Sequence, residues 1–166
     1  MLQKTPATDA FWLAYRRHAG LDHDRYVVAA FGDSAALADE LLALVLEGRK
    51  RATASLRRDY ASRGEPLPQP GDLWVVLDGA GTPRCILRTT AVTIQPLAAV
   101  DASFAWDEGE GDRSRAWWLR AHRAYFARQA AREVFAFDDT IDTVFERFDL
   151  VWPPDAVGIG AIPPRR

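Results

Sequence analysis

The chain has 166 residues, 48% of them hydrophobic, which suits one globular domain with a real core. Lys and Arg total 21 against 23 Asp and Glu, a formal charge of −2, which argues against a protein that coats long duplex DNA but leaves room for a small basic site. Cys85 stands alone, excluding an intramolecular disulfide and a thiolate zinc site, and the absence of an apolar span of roughly 18 residues or of an apolar signal core in residues 1–6 makes a membrane span unexpected and a reducing cytoplasm the default setting.

The first helix is expected from about Thr8, its N-cap, to Gly20, with Phe11, Trp12 and Tyr15 on one side. The run 26–31 reads as a strand or an extended lead-in. A second helix follows, capped by Asp33 or Ser34, with Leu37, Leu41, Leu44 and Val45 at helical spacing and Gly48 as its left-handed terminator. After Arg49-Lys50-Arg51 the period changes to two. Ala52, Ala54 and Leu56 point one way, and Arg51, Thr53 and Ser55 the other, so a strand over 51–56 has one packing face and one cationic, hydroxylic face.

Residues 66–72, Pro66-Leu67-Pro68-Gln69-Pro70-Gly71-Asp72, form a stiff connector, part of an extended loop over 62–71. Strands over 73–77 and 84–94, joined by Asp78-Gly79-Ala80-Gly81-Thr82, read as an antiparallel hairpin, and nothing in the pattern asks for a βαβ crossover. Residues 101–111 are acidic and irregular. A long helix should begin at Asp112 and turn Trp117, Trp118, Ala121, Tyr125 and Phe126 inward, and a last strand over 143–152 is stopped by Pro153-Pro154. The tail 155–166 reads as mobile. Cys85, within Arg84-Cys85-Ile86-Leu87, reads as a small buried residue.

Three constellations carry chemistry. Lys50 with Thr53 and Ser55 sets an ammonium beside hydroxyls, a donor set for a phosphate or a carbonyl oxygen; alone, a lysine after a helix only complements the dipole. The run Glu108-Gly109-Glu110-Gly111-Asp112-Arg113-Ser114 interleaves carboxylates with glycines that let backbone approach a ligand, and Asp112 or Ser114 at a helix start leaves N–H groups for an anion. His122 falls on or beside the apolar stripe of its helix and reads as a core or boundary histidine, with no metal spacing to His18 or His23. No dedicated metal site is expected, and a divalent cation such as Mg²⁺ would enter only by bridging substrate. Of six tryptophans, Trp106 alone leaves the apolar stripes; core or lid packing is expected for it, with base stacking as the other use.

Several of these segments together resemble the ASCH domain, a branch of the PUA-like β-barrels. They are Phe31-Gly32-Asp33-Ser34, Gly48-Arg49-Lys50-Arg51-Ala52-Thr53-Ala54-Ser55, Pro70-Gly71-Asp72, the run from Glu108 to Ser114, and Phe145-Glu146-Arg147-Phe148. The resemblance covers roughly residues 31–152 in order. It implies an α+β fold: a small, mostly antiparallel PUA-like β-barrel with helices packed at its mouth, here with an N-terminal helical extension over 1–30 and a tail over 153–166. It also implies a cleft for RNA or a small nucleoside or nucleotide; the sequence itself indicates no cofactor. Some small members suggest amidohydrolase chemistry on N4-acetylcytidine with a Lys, a Thr and a Glu. These fall on Lys50, Thr53 and Glu110, with Glu108 competing for the last place. Longer members are associated with RNA cleavage, for which Lys50 and Ser114 are the counterparts. Arg49, Arg51, Ser55, Asp112, Arg113 and Ser114 would then line the nucleotide. A binding module or sensor without chemistry is the alternative, and oligomeric state is not legible.

Overall fold

The computed structural model describes residues 2–156. Helix α1 (Pro6–Ala19) starts earlier than its sequence suggests, because Thr5 and Thr8 form a capping box with Pro6 at the first helical position. Thr8 is the third residue of that box, buried inside the first turn. Gly20 closes the helix in the left-handed conformation. Strand β1 (Val27–Ala29) leads to α2 (Ala35–Leu46), capped by Ser34. Strand β2 (Ala52–Leu56) runs straight into the short helix α3 (Arg57–Arg63), which takes the start of what reads in the sequence as loop. The hairpin β3 (Leu73–Leu77) and β4 (Pro83–Pro96) is as expected. A 3₁₀ turn (Leu97–Ala99) and helix α4 (Ala102–Glu108) replace the irregular acidic stretch, and α5 (Arg115–Glu133) begins at Ser114 rather than Asp112. Strand β5 (Asp142–Trp152) closes the described fold, and most of the tail lies outside the described residues.

The five strands form one sheet in the order β1-β3-β4-β5-β2. It curls into a half-barrel whose edges are β1 and β2, so the barrel expected from the sequence is open among the described residues. Four strands pair antiparallel, but β1 runs parallel to β3, with Val28 opposite Val75. The crossover between them holds α2, β2 and α3. Local pattern cannot show it, because the partner strands lie more than forty residues apart.

Strand β3 is buried throughout because both of its faces are covered. Leu73, Val75 and Leu77 pack on Trp12 and Tyr15 of α1, while Trp74 and Val76 pack with Leu41, Leu42 and Val45 of α2, and with Cys85 and Phe148. Cys85 is fully buried, and burial pushes its thiol up to about 12. A third core joins Ala52, Leu56 and Phe145 to Phe104 of α4 and to Trp118 and Phe126 of α5. The sheet therefore has helices against both faces. The start of β2 lies between the third core, which holds Ala52, and the α2 core, whose Phe31 ring is 5.5 Å from the Lys50 amine.

Candidate functional site

The entry to β2 is built by a sharp chain reversal. After α2, Gly48 adopts φ 71°, a conformation an L side chain resists, and the backbone N–H groups of Arg49 and Lys50 both donate to the Leu44 carbonyl at 2.9 Å. Arg51 is then clamped through its backbone. Its N–H donates to Asp107 O at 2.7 Å and its carbonyl accepts from Phe148 N at 2.9 Å. Residues 49–51 are thus fixed between α4 and β5, and the lysine is sent inward while both arginines stay at the rim.

Lys50 is 2% exposed. Its Nζ donates to Glu110 Oε1 at 2.6 Å, stands 4.0 Å from Glu108 Oε1, and lies 5.5 Å from the centre of the Phe31 ring. Glu108, 1% exposed at the end of α4, is held from its other oxygen: Trp118 Nε1 donates to Oε2 at 2.7 Å and His122 Nε2 lies 3.2 Å away. His122 stacks on Trp118 at 3.7 Å between ring centres, and its Nδ1 is 3.1 Å from the Trp118 carbonyl, so both ring nitrogens face acceptor oxygens. Burial pushes the Glu108 carboxyl up, but the charge of Lys50 and then that of His122, with the hydrogen bonds from His122 and Trp118, outweigh it and hold the group below its ordinary value. Glu108 Oε1 makes no hydrogen bond. The cluster therefore has a carboxylate oxygen pointing at an amine it does not bond.

The glycine loop reaches this place because its glycines allow it. Gly109 has φ 72°, and a Cβ there would meet the Arg49 carbonyl oxygen at 2.4 Å. Arg49 returns the contact by donating from its guanidinium to Gly111 O at 2.8 Å. Arg113 donates through Nε to Trp106 O at 3.0 Å, and its guanidinium lies 4.0 Å over the Trp106 ring. Burial first, then the positive charge of Arg49, draws the Arg113 guanidinium below its ordinary value, as expected where arginines converge. Trp106 is 55% exposed, so it lies at the surface and not in the core. Asp112 is exposed, and hydrogen bonds from the Ser114 hydroxyl and then from Ser114 N at 2.8 Å hold its carboxyl below the usual range; Ser114 caps α5 by accepting from Trp117 N at 3.1 Å.

Along β2, Thr53 stands opposite Glu146 and Ser55 opposite Val144. Ser55 Oγ and Tyr60 Oη lie 2.9 Å apart, and burial raises the Tyr60 hydroxyl above its ordinary value. Glu146, itself buried, accepts from Thr89 Oγ1 at 2.5 Å. Thr89 sits where β4 shifts register, and it is fastened to the Pro70-Gly71-Asp72 turn by paired bonds, Gly71 N to Thr89 O and Thr89 N to Asp72 O, both 2.9 Å.

The fold thus joins Lys50 to Glu110, and to Glu108, whose sequence competition with Glu110 dissolves because both acids serve the same amine. It does not join Thr53 to either: no hydrogen bond links the Thr53 hydroxyl to Lys50 or Glu110 among the described residues. Arg51 Nε turns back to Gly48 O at 3.0 Å. Sequence reasoning missed Glu146, Thr89 and Tyr60, and read His122 as a core or boundary residue without its bond to Glu108. One signal was available for Glu146, an acid alternating with Val144 and Phe148 on one face of an apolar strand.

Two shallow hollows of about 270 and 390 Å³ lie elsewhere, beside Trp12 and Tyr26 and beside Asp39 and Arg84; neither borders Lys50. No group of three or more His, Cys, Asp and Glu among the described residues is placed to hold a metal, and no helix there is long and apolar enough to cross a membrane.

Comparison with known proteins gives a consistent answer. A family model described as the ASCH domain matches residues 27–152. The crystal structure of an ASCH domain from Lactobacillus crispatus JV V101 superposes with a TM-score of 0.79 at 32% identity, covering 90% of this chain and 97% of that one. A protein of Enterococcus faecalis V583 superposes equally well, TM-score 0.79 at 34% identity, over 86% of each chain. None of the curated proteins matches the chain.

Proposed function

The chain belongs to the ASCH domain family, and on that footing we propose that it takes RNA or a nucleoside into the cleft around Lys50 and hydrolyses an acylated nucleobase amine there. The observation that carries this reading is the Lys50 amine, buried and 2.6 Å from Glu110 with Glu108 behind it. Desolvating one cation and two carboxylates is costly and seldom repaid in stability, which favours a working group over a strut.

In this reading the Glu110 carboxylate takes a proton from a water molecule that attacks the acyl carbon. The Lys50 ammonium stabilises the developing oxyanion and passes a proton to the leaving amine as the C–N bond breaks. The products are a carboxylate and the free base amine, as with N4-acetylcytidine. The lack of a bond between Thr53 and Lys50 supports water over the Thr53 hydroxyl as nucleophile, with Thr53 positioning it. Glu108, fixed by Trp118 and His122, holds the amine in place. Carboxylates at Lys50 disfavour a phosphate there; the rim of Arg49, Arg51 and Arg113, with Trp106 beside it, suits the phosphate and base of a longer RNA.

The test is chromatographic. Purified protein should release cytidine from N4-acetylcytidine, and Lys50→Ala, with an unchanged circular dichroism spectrum, should lose at least about a hundredfold in rate. Undiminished release by that variant refutes the assignment. The unbonded Thr53 also favours a second reading, a binding module without chemistry, which nucleoside affinity without turnover would establish.

A further inference from the structure

Of the two buried acids that the chemistry above leaves idle, Asp59 and Glu146, Asp59 is paired with Arg58 and Glu146 has no basic partner among the described residues. Glu146 lies in the middle of β5, opposite Thr53 of β2 and Val92 of β4, and is 7% exposed. Its one hydrogen-bond partner among the described residues is the Thr89 hydroxyl at 2.5 Å, and no Lys, Arg or His there pairs with it. The groups that face it are few. Tyr60 comes from α3, Asp72 from the turn before β3, and Thr53 and Ser55 from β2. Of these only Asp72 carries charge at neutral pH, and it is of like sign. Thr53, across the ladder from Glu146, lies three residues along the chain from Lys50, and Phe148, two residues on from Glu146, contacts Phe31, whose ring centre is 5.5 Å from the Lys50 amine.

A carboxyl so placed favours its neutral form. Burial pushes it up to about 7; the Thr89 bond opposes that rise and Asp72 adds to it. A neutral acid differs from a carboxylate in what it offers a ligand: one O–H donor beside one acceptor, instead of acceptors alone. Thr89 already donates to one oxygen, so the remaining capacity points to whatever enters beside the unbonded Thr53 hydroxyl.

We propose that Glu146 is the specificity-determining group of the cleft, reading as a neutral acid a planar ligand edge that sets a hydrogen-bond donor beside an acceptor, the pattern of a nucleobase or amide edge. The inference rests on the reading of the Lys50 cleft as a nucleoside site. Thr89, held by the Pro70-Gly71-Asp72 turn, positions the carboxyl. A buried acid that served the fold alone would bond Thr89 and leave binding untouched.

The experiment is calorimetric titration of cytidine, uridine, adenosine, guanosine and N4-acetylcytidine into wild type, Glu146→Gln and Glu146→Ala, at pH 5.5 and 8.5, with melting temperatures recorded at both. With half-ionisation near pH 7, the neutral fraction falls about thirtyfold between those conditions, and the wild-type affinity for the nucleoside that fits should fall with it. Gln keeps a donor beside an acceptor at every pH, so Glu146→Gln should bind at both pH values within about twofold, while Glu146→Ala should bind weakly at both. Equal affinity of Glu146→Ala and wild type, a wild type indifferent to pH, or a Glu146→Gln as weak as Glu146→Ala overturns the inference and leaves the nucleoside site standing. No binding of any of the five by wild type at either pH overturns both.

Discussion

Gly109 offers a clean test of how the acidic loop is seated on the lysine. At φ 72°, Ala would incur the left-handed backbone cost of about 1–2 kcal/mol. It would also drive a Cβ to 2.4 Å from the Arg49 carbonyl oxygen and 2.7 Å from its carbon. Those atoms are backbone, pinned by the bonds of Arg49 N and Lys50 N to Leu44 and of Arg51 N to Asp107, so neither side can yield cheaply. Relief of such overpacking costs about 1–3 kcal/mol, giving about 3 kcal/mol in all. Gly64 supplies the control: at φ 63° it pays the same backbone cost, but a Cβ there meets nothing within 4 Å. For a chain of this size 1 kcal/mol moves Tm by about 2–4 °C, so Gly109→Ala should melt about 10 °C below wild type and Gly64→Ala about 3–4 °C below. Thermal melts followed by circular dichroism measure both. Equal shifts would mean that the loop does not rest against Arg49, and the pairing of Lys50 with Glu110 and Glu108 would fall with it.

The remaining predictions concern pH. Lys50→Met leaves Glu108 buried without its countercharge and should destabilise by about 3–5 kcal/mol at pH 7. In wild type Glu108 is held low, so its contribution is present above the ordinary carboxylate range and lost as pH falls below it; in the variant burial prevails, the group is raised, and its contribution is lost as pH rises. The gap in Tm between the two proteins should therefore widen from pH 4.5 to 7, and a constant gap refutes the electrostatic account. Glu146 is raised from 4.5 to about 7, so its contribution is full below pH 4.5 and lost as pH climbs through 7, which at 1.36 kcal/mol per decade comes to about 3 kcal/mol. Glu146→Gln should accordingly gain on wild type in stability from pH 5 to pH 8, and melts that stay parallel would show that the acid is already solvated.

Residues whose partners lie nearby in sequence were legible. The alternation of Ala52, Ala54 and Leu56 against Thr53 and Ser55, the left-handed glycine at 48 and the long stripe of Trp118 and Phe126 all report local geometry, and each appears in the fold. Helix α4 was not legible because seven residues rich in acid and small side chains give too little period; its one sign was Asp101 capping Phe104 N. Helix α3 has no polar cap at all, since it leaves β2 directly from Leu56. The parallel pairing of β1 with β3 and the meeting of Thr89 with Glu146 depend on contacts between distant segments, which no window of sequence contains. Lys50 was legible as a site residue through its motif and the resemblance, whereas its enclosure between Glu110, Glu108 and Phe31 depends on segments far away in the chain.

The order Arg49-Lys50-Arg51 has a physical reason that the site makes visible. Three cations in a row cannot all be buried. The turn after Gly48 allows one side chain inward, and that place lies between Glu110 at 2.6 Å, Glu108 at 4.0 Å and the Phe31 ring. A compact ammonium on a thin stem fits there and can aim one proton at Glu110, whereas a planar guanidinium would need a bidentate partner and the space of its fork. The arginines on either side keep their forks at the rim, where Arg49 binds the Gly111 carbonyl and Arg51 that of Gly48. The charge of the chain, close to neutral overall, is therefore sorted: acids beneath the amine, guanidinium groups around it. In the proposed reading, a ligand with an anionic tail and a neutral head would set its tail on the arginines and its head over Lys50.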